Sequence, residues 1–128
     1  MNWRAKTKHH VVFPVDQDRS TLVVSPRGDA VAFRDSDVQH ELDTLMGWIA
    51  DAEVDHLIVD FSGANYYGST IIGAVVGLAR RITAAGGTAV FCNLSNDMQS
   101  VLQVMNLDKM WPSFETLKAA KVFVRKST

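Results

Sequence analysis

The chain has 128 residues and a formal net charge of -1, with 47% hydrophobic and 21% charged residues. That length suits one domain with one hydrophobic core, so we expect a single domain over residues 1–128. The near-neutral charge argues against a general affinity for nucleic acid. The first residues lack the apolar core of a signal peptide, and no apolar run approaches the roughly 18 residues of a membrane span. We therefore expect a cytoplasmic protein that binds no nucleic acid and does not insert into a membrane.

The chain begins with a predicted β-hairpin. Two short β-rich runs, Val11–Val15 and Thr21–Ser25, flank the polar turn Asp16–Ser20. Because Pro14 has no N–H to give to a neighbouring strand, the first run is predicted to lie at the edge of the sheet.

An amphipathic helix is predicted next, from about Asp37 to Ala52. Ser36 and Gln39 have the spacing of a capping box, with Ser36 as the cap. Apolar residues follow at helical spacing: Val38, Leu42, Leu45 and Ile49. The acidic residues of this helix are predicted to face solvent: Asp37, Glu41 and Asp43.

The centre of the chain joins a buried strand to a long helix. The apolar run His56–Phe61 predicts a strand buried on both faces. The stretch Tyr66–Ala85 then turns at Gly68 and continues as a helix, with Ser69 or Thr70 placed to cap it. Its buried stripe is predicted to be Ile71, Val75, Leu78 and Ile82, widened by Ile72, Val76 and Ala79. The two hydroxyls are thus expected at the carboxyl end of the sheet, where open α/β sheets place their functional sites.

The other side of this helix carries small and polar residues: Thr70, Gly73, Ala74, Gly77 and Arg81. Each glycine inside a helix costs roughly 1 kcal/mol relative to alanine, so Gly73 and Gly77 need an explanation. One explanation is close packing of the helix against its own sheet. The other is a smooth surface beside Ser69 on which a partner lies.

The remainder of the chain predicts two further helices and two strands. Gly86–Gly87 ends the central helix, and Thr88–Cys92 follows as a buried strand. A short helix is predicted from the stripe Met98, Val101, Leu102 and Met105. Met110–Pro112 predicts a last edge strand, and Ser113 is expected to cap the final helix. Strands separated by helices form parallel crossovers. The fold class is therefore α/β, with a mostly parallel sheet of four or five strands, a hairpin at one edge and about four helices.

Motifs that would indicate catalysis or a bound cofactor are missing. Gly68–Gly73 has the outline of a phosphate-binding loop, but Ala74 and Val75 stand where lysine and a hydroxyl residue belong. Ser69 has no predicted base, because the four histidines are placed away from the carboxyl end of the sheet. His9 and His10 have no third ligand at a usual spacing. We predict no enzyme, no metal site and no cofactor.

The order of elements resembles a STAS domain, the fold of bacterial anti-sigma factor antagonists. The resemblance covers nearly the whole chain and is most specific in four segments: Leu57–Gly63, Tyr66–Thr70, Ala85–Val90 and Asn93–Leu94. In that family the turn usually reads aspartate, serine, serine or threonine, glycine, and a partner kinase, itself the anti-sigma factor, phosphorylates the first serine. The resemblance places Ser69 at the phosphoacceptor position and Thr70 next to it. Gly68 replaces the aspartate and Ile71 replaces the glycine.

The resemblance implies a regulatory domain that binds a protein partner, either an anti-sigma factor or a related serine kinase. The expected contact residues are Tyr66, Tyr67, Gly68, Gly73, Gly77 and Asn93, and the contact is expected to be switched by phosphorylation of Ser69 or Thr70. Two alternatives remain open: a scaffold STAS domain that is never phosphorylated, or a module that binds a nucleotide or lipid beside the two tyrosines. The sequence also leaves open whether two copies pair as a homodimer.

Overall fold

The computed structural model describes residues 2–28, 34–51 and 54–127. The helices within these residues are α1 (Trp3–Thr7), α2 (Asp35–Ala50), α3 (Ser69–Ala84), α4 (Asn96–Val104) and α5 (Leu117–Lys126), with a 3-10 helix at Leu107–Lys109. The strands are β1 (Val15–Asp18), β2 (Thr21–Val24), β3 (His56–Asp60), β4 (Ala89–Cys92) and β5 (Ser113–Phe114).

The strands form one sheet in which they lie side by side in chain order. β1 is antiparallel to β2, and the other neighbouring pairs are parallel. The predicted α/β fold is therefore confirmed, with the hairpin at one edge. The described helices number five rather than about four, because α1 has too short a pattern to be predicted from sequence.

Helices cover the two faces of the sheet unequally. In β3, Leu57 and Val59 point into a large core shared with α2, α3 and α4. Ile58 points to the opposite face, where α5 is the one described helix that packs on the sheet, through Ala120 and Val124. Every residue of β3 is buried, which explains its unbroken apolar pattern.

The predicted hairpin is present, but its first strand begins later than predicted, and Glu41 binds the segment before it. β1 begins at Val15, not at Val11, and the turn consists of Arg19 and Ser20 alone. The segment before β1 gives its N–H groups to Glu41, whose oxygens accept from Val11 at 2.9 Å, Val12 at 3.0 Å and Phe13 at 2.9 Å. Glu41 is only 5% exposed, so the prediction that it faces solvent is wrong.

Several predicted helix starts are also wrong. α2 begins at Asp35 without a side-chain cap, and Gln39 donates to Asp43 at 2.7 Å instead of closing a capping box with Ser36. Its predicted end, Ala52, lies outside the described residues, and the helix ends at Ala50.

The last part of the chain shows the same kind of shift. The final strand is Ser113–Phe114 rather than Met110–Pro112, so Ser113 cannot cap α5. Thr116 does so, accepting from the Ala119 N–H at 3.1 Å. Met105, predicted as part of a buried stripe, is 48% exposed because α4 ends one residue earlier.

Candidate functional site

The candidate site lies between the end of β3 and the start of α3, at the carboxyl edge of the sheet. Ser69 and Thr70 form the first turn of α3, and both are exposed, as the sequence predicted. Neither of them is the cap. Gly68 occupies that position in an extended conformation, and its carbonyl accepts the first helical hydrogen bond from Ile72 at 3.1 Å.

The hydroxyls of Ser69 and Thr70 have no hydrogen-bond partner among the described residues. They stand beside the first N–H groups of the helix, which have no carbonyl partner within it. This end of α3 therefore presents two unengaged hydroxyls and a partial positive charge.

The two tyrosines that precede the helix have different environments. Tyr66 is 51% exposed, whereas Tyr67 is fully buried and donates its hydroxyl to the Phe61 carbonyl at 3.0 Å. Its ring also meets that of Phe61 edge-on, at 5.2 Å between centroids. Burial raises the pKa of Tyr67, so the phenol keeps its proton and remains a donor. The prediction that Tyr67 contacts a partner is therefore corrected: its side chain anchors the loop.

Close packing also fixes the loop between β3 and α3. A Cβ atom on Gly63 would lie 2.8 Å from the Pro26 carbonyl oxygen and 3.3 Å from the Tyr67 hydroxyl. Only glycine lets the backbone approach so closely. Ser95 connects this loop to the start of α4. Its hydroxyl donates to the Asn65 carbonyl and caps α4 by accepting from the Met98 N–H at 3.1 Å.

A carboxylate and an amide join the ends of the two central strands. Asp60 accepts from the Asn93 side-chain nitrogen at 2.9 Å and from the Ser62 N–H at 3.0 Å. Asn93, predicted as a contact residue, is half-buried with a φ of 58°, and its amide nitrogen is used inside the protein. Sequence reasoning missed Asp60, although a carboxylate at the end of an apolar strand was a usable signal.

Cys92 lies beside this pair on β4 and is fully buried. Burial, together with the nearby Asp60 charge, raises its pKa to about 12. The thiol therefore stays protonated near neutral pH and is a poor nucleophile.

The two glycines of α3 have different surroundings. A Cβ atom on Gly73 would meet nothing within 4 Å, whereas one on Gly77 would lie 3.5 Å from the Met46 side chain of α2. Gly77 thus borders a neighbouring helix, while Gly73 faces open space one turn from Ser69 and Thr70. Ala74, predicted on the outer side, is buried. Close packing does not explain Gly73.

The described part of the chain contains neither a metal-binding cluster nor a membrane span. Among residues 2–28, 34–51 and 54–127, no group of three or more His, Cys, Asp or Glu side chains is arranged to hold a metal ion. None of the helices in those ranges has the length and hydropathy needed to cross a membrane.

The family profile described as STAS domain matches residues 12–120. This chain belongs to the STAS family. The match includes all five strands, α2, α3 and α4, and the start of α5. No curated protein matches the chain significantly.

Solved structures of other STAS proteins have the same fold. A STAS-domain anti-sigma factor antagonist from Planctomyces limnophilus is 24% identical, with a TM-score of 0.72 over 88% of this chain and 97% of that one. A putative antagonist from Thermotoga maritima is 18% identical, with a TM-score of 0.75 over 91% and 97%. The Bacillus cell fate determinant SpoIIAA in its phosphorylated form is 21% identical, with a TM-score of 0.68 over 87% and 98%. At these identities the likeness shows the fold alone.

Proposed function

We propose that this STAS domain is a regulatory protein-binding domain of the anti-sigma factor antagonist type. Its partner is an anti-sigma factor or a related serine kinase, and the contact lies at the N-terminal end of α3. The observation that carries the proposal is the pair of exposed, unengaged hydroxyls at Ser69 and Thr70. No enzymatic activity is proposed, since Ser69 has no hydrogen-bonded base among the described residues.

The proposed contact surface follows from exposure. It consists of Tyr66, Gly68, Ser69, Thr70 and Gly73, which are exposed or half-exposed on the loop and the first turns of α3. Gly77 and Asn93 lie at its margins, because each is partly covered by a neighbouring element.

Phosphorylation of Ser69 would switch this contact by a simple electrostatic route. A phosphate adds close to two negative charges near neutral pH. At the start of α3 the free N–H groups and the helix dipole favour an anion, so the fold tolerates the change. A partner surface that is acidic or apolar would not, because it would have to desolvate the phosphate without compensation.

A scaffold STAS domain that is never phosphorylated is the second candidate. Gly68 favours it, since the residue before the phosphoacceptor has no side chain with which a kinase can orient the Ser69 hydroxyl. Pairing of two copies would then use the β1 edge or a helix face. The nucleotide or lipid alternative is weaker, because burial of Tyr67 leaves Tyr66 as the one exposed aromatic of the turn.

Intact mass measurement separates the first two candidates. The protein is purified from its native cells with and without stress, and the modified peptide is mapped. One added phosphate on Ser69 or Thr70 supports the switch. A chain that stays unmodified under both conditions, yet still retains a partner, supports the scaffold.

Partner capture tests the surface directly. Ser69→Asp is expected to lose partners that wild type retains, while Ser69→Ala retains them. The matched control is Ser100→Asp, which places the same charge on an exposed position of α4. Equal capture by wild type, Ser69→Asp and Ser100→Asp would exclude α3 as the switched surface.

A further inference from the structure

A second polar site lies at the end of the sheet where β2 and β3 begin, opposite to the end that carries Ser69. A cavity of about 70 Å3 opens between the β1–β2 turn and the C-terminal half of α5. Most of the residues that line it are polar or charged, among them Asp18, Arg19, Thr21, His56, Lys121 and Arg125. Nothing in the proposed partner contact uses them.

His56 is one of the residues that line this cavity, and its imidazole is buried. It alternates with Leu57 along β3, so its side chain lies on the same face as Ile58, the face that α5 covers. Its Nδ1 accepts from the Thr88 N–H at 3.0 Å. A ring nitrogen that accepts carries no proton, so the proton of the neutral ring is on Nε2.

The Nε2 atom is buried and has no hydrogen-bond partner within the described part of the chain. His56 as a whole is 6% exposed. A buried donor left unpaired is unfavourable, so an acceptor that enters beside the His56 ring and reaches Nε2 would stabilise the folded protein.

Positive charge surrounds the same space. Lys121 and Arg125 both approach Asp18 Oδ2, at 3.8 Å and 3.2 Å. Arg19 adds a third cation on the turn, so three cationic side chains face one carboxylate. Asp18 offers acceptor oxygens already engaged by two of these cations. The three cations outnumber the one carboxylate among the lining residues, so the field in the cavity is positive.

We infer that this cavity binds a small oxyanion of the phosphate class. Lysine, arginine and the His56 Nε2–H can only donate, so the complementary ligand is made of acceptors. A cavity of about 70 Å3 has room for a few water molecules or for one small tetrahedral oxyanion. It is far below the roughly 300 Å3 at which pockets for larger ligands begin, so its size suits a small ion better than a nucleotide.

The inference is tested with inorganic phosphate as the probe. Sodium phosphate is titrated into the 15N-labelled full chain near pH 7, with sodium chloride at equal ionic strength as the reference. We expect saturable shifts at the His56 ring nitrogens and at the Ser20 and Thr21 amides. The chemical shift of the Thr70 amide, at the carboxyl end of the sheet, is expected not to change, so the result does not depend on the proposed partner contact.

Matched variants decide whether the cavity is responsible. Lys121→Gln removes one cation, and His56→Asn removes Nε2 while keeping an oxygen near the position of Nδ1 for the Thr88 N–H. Each is expected to weaken phosphate binding by about tenfold or more, the value of one charge-assisted hydrogen bond. Lys118→Gln is the control, because Lys118 is exposed on the same helix and does not line the cavity.

Two results would overturn the inference. One is a set of shifts that grow linearly and are the same in chloride, which indicates screening of surface charge only. The other is equal loss of affinity in Lys118→Gln and Lys121→Gln. The amide spectrum of each variant reports whether it is folded, and Lys121→Gln, on the surface of α5, gives the answer even if His56→Asn is unstable.

Discussion

Replacing Glu41 with alanine removes the carboxylate that holds the segment before β1. Its two oxygens accept from three consecutive N–H groups, those of Val11, Val12 and Phe13. Val12 and Phe13 are fully buried, whereas Val11 is 54% exposed. Without the carboxylate, two buried donors lose their partners, and the third can turn to water.

The size of the effect follows from those two donors. An unsatisfied buried donor costs about 1–3 kcal/mol, so the pair accounts for about 2–6 kcal/mol. Relief of the desolvation of a buried carboxylate offsets part of this. We therefore expect Glu41→Ala to lower the free energy of unfolding by about 2–4 kcal/mol, a large share of the roughly 5–15 kcal/mol typical of a domain.

Urea unfolding followed by circular dichroism measures this loss. With a slope of about 1.5 kcal/mol/M, the midpoint is expected to fall by about 1.3–2.7 M. Glu41→Gln keeps one acceptor oxygen and is expected to lie between alanine and wild type. Asp43→Ala is the control, because Asp43 is an exposed acid on the same helix. This substitution is expected to change the free energy of unfolding by no more than about 0.5 kcal/mol. A Glu41→Ala protein as stable as Asp43→Ala would refute the reasoning.

The remaining predictions test the site itself. Gly63→Ala is expected to destabilise the protein by about 1–3 kcal/mol, because the added Cβ would lie 2.8 Å from the Pro26 carbonyl oxygen. Gly73→Ala is expected to stabilise it by up to about 1 kcal/mol, because its Cβ would meet nothing within 4 Å. Urea unfolding measures both changes, and a change in the free energy of unfolding of the same sign for both would contradict this. Asn93→Gly and Asn93→Ala both lose the hydrogen bond to Asp60. The free energy of unfolding of Asn93→Ala is expected to be about 1 kcal/mol lower than that of Asn93→Gly, because the φ of 58° at this position strains alanine; equal unfolding midpoints would argue against this reason. Cys92, whose pKa is about 12, is expected to resist iodoacetamide at pH 8 in the folded protein and to react in urea, as mass spectrometry would show. The unfolded thiol ionises near its ordinary pKa of 9.0, whereas the folded one does not, so the free energy of unfolding is also expected to fall as the pH rises above 9. The urea midpoint is measured at pH 8 and at pH 10 for wild type and for Cys92→Ala. If both proteins show the same difference between the two midpoints, the thiol contributes nothing.

Local patterns were enough to predict the elements that organise the fold. The apolar run of β3 and the helical stripe of α3 identified both elements within one or two residues. Because parallel strands joined by helices align their carboxyl ends, the same patterns placed Ser69 and Thr70 at that edge and on the surface. The family resemblance came from the same segments and is confirmed by the match over residues 12–120.

What the patterns could not predict depends on residues far apart in the chain. Glu41 resembled one more acid on a polar helix side, yet it accepts from the Val12 N–H, 29 positions away, and binds the segment before β1. Tyr66 and Tyr67 are identical in type, and only the position of the Phe61 carbonyl decides which one is buried.

The sequence alone therefore determined the order of the strands and of the helices from α2 to α5, the mostly parallel arrangement and the location of the hydroxyl turn, because these follow from periodicity along neighbouring residues. Only the tertiary structure decided which polar groups are buried and what they bind: Glu41 at the hairpin, Asp60 with Asn93, and His56 at the opposite edge. A buried polar group is stable only where a partner or a cavity meets it, and the folded chain sets that distance.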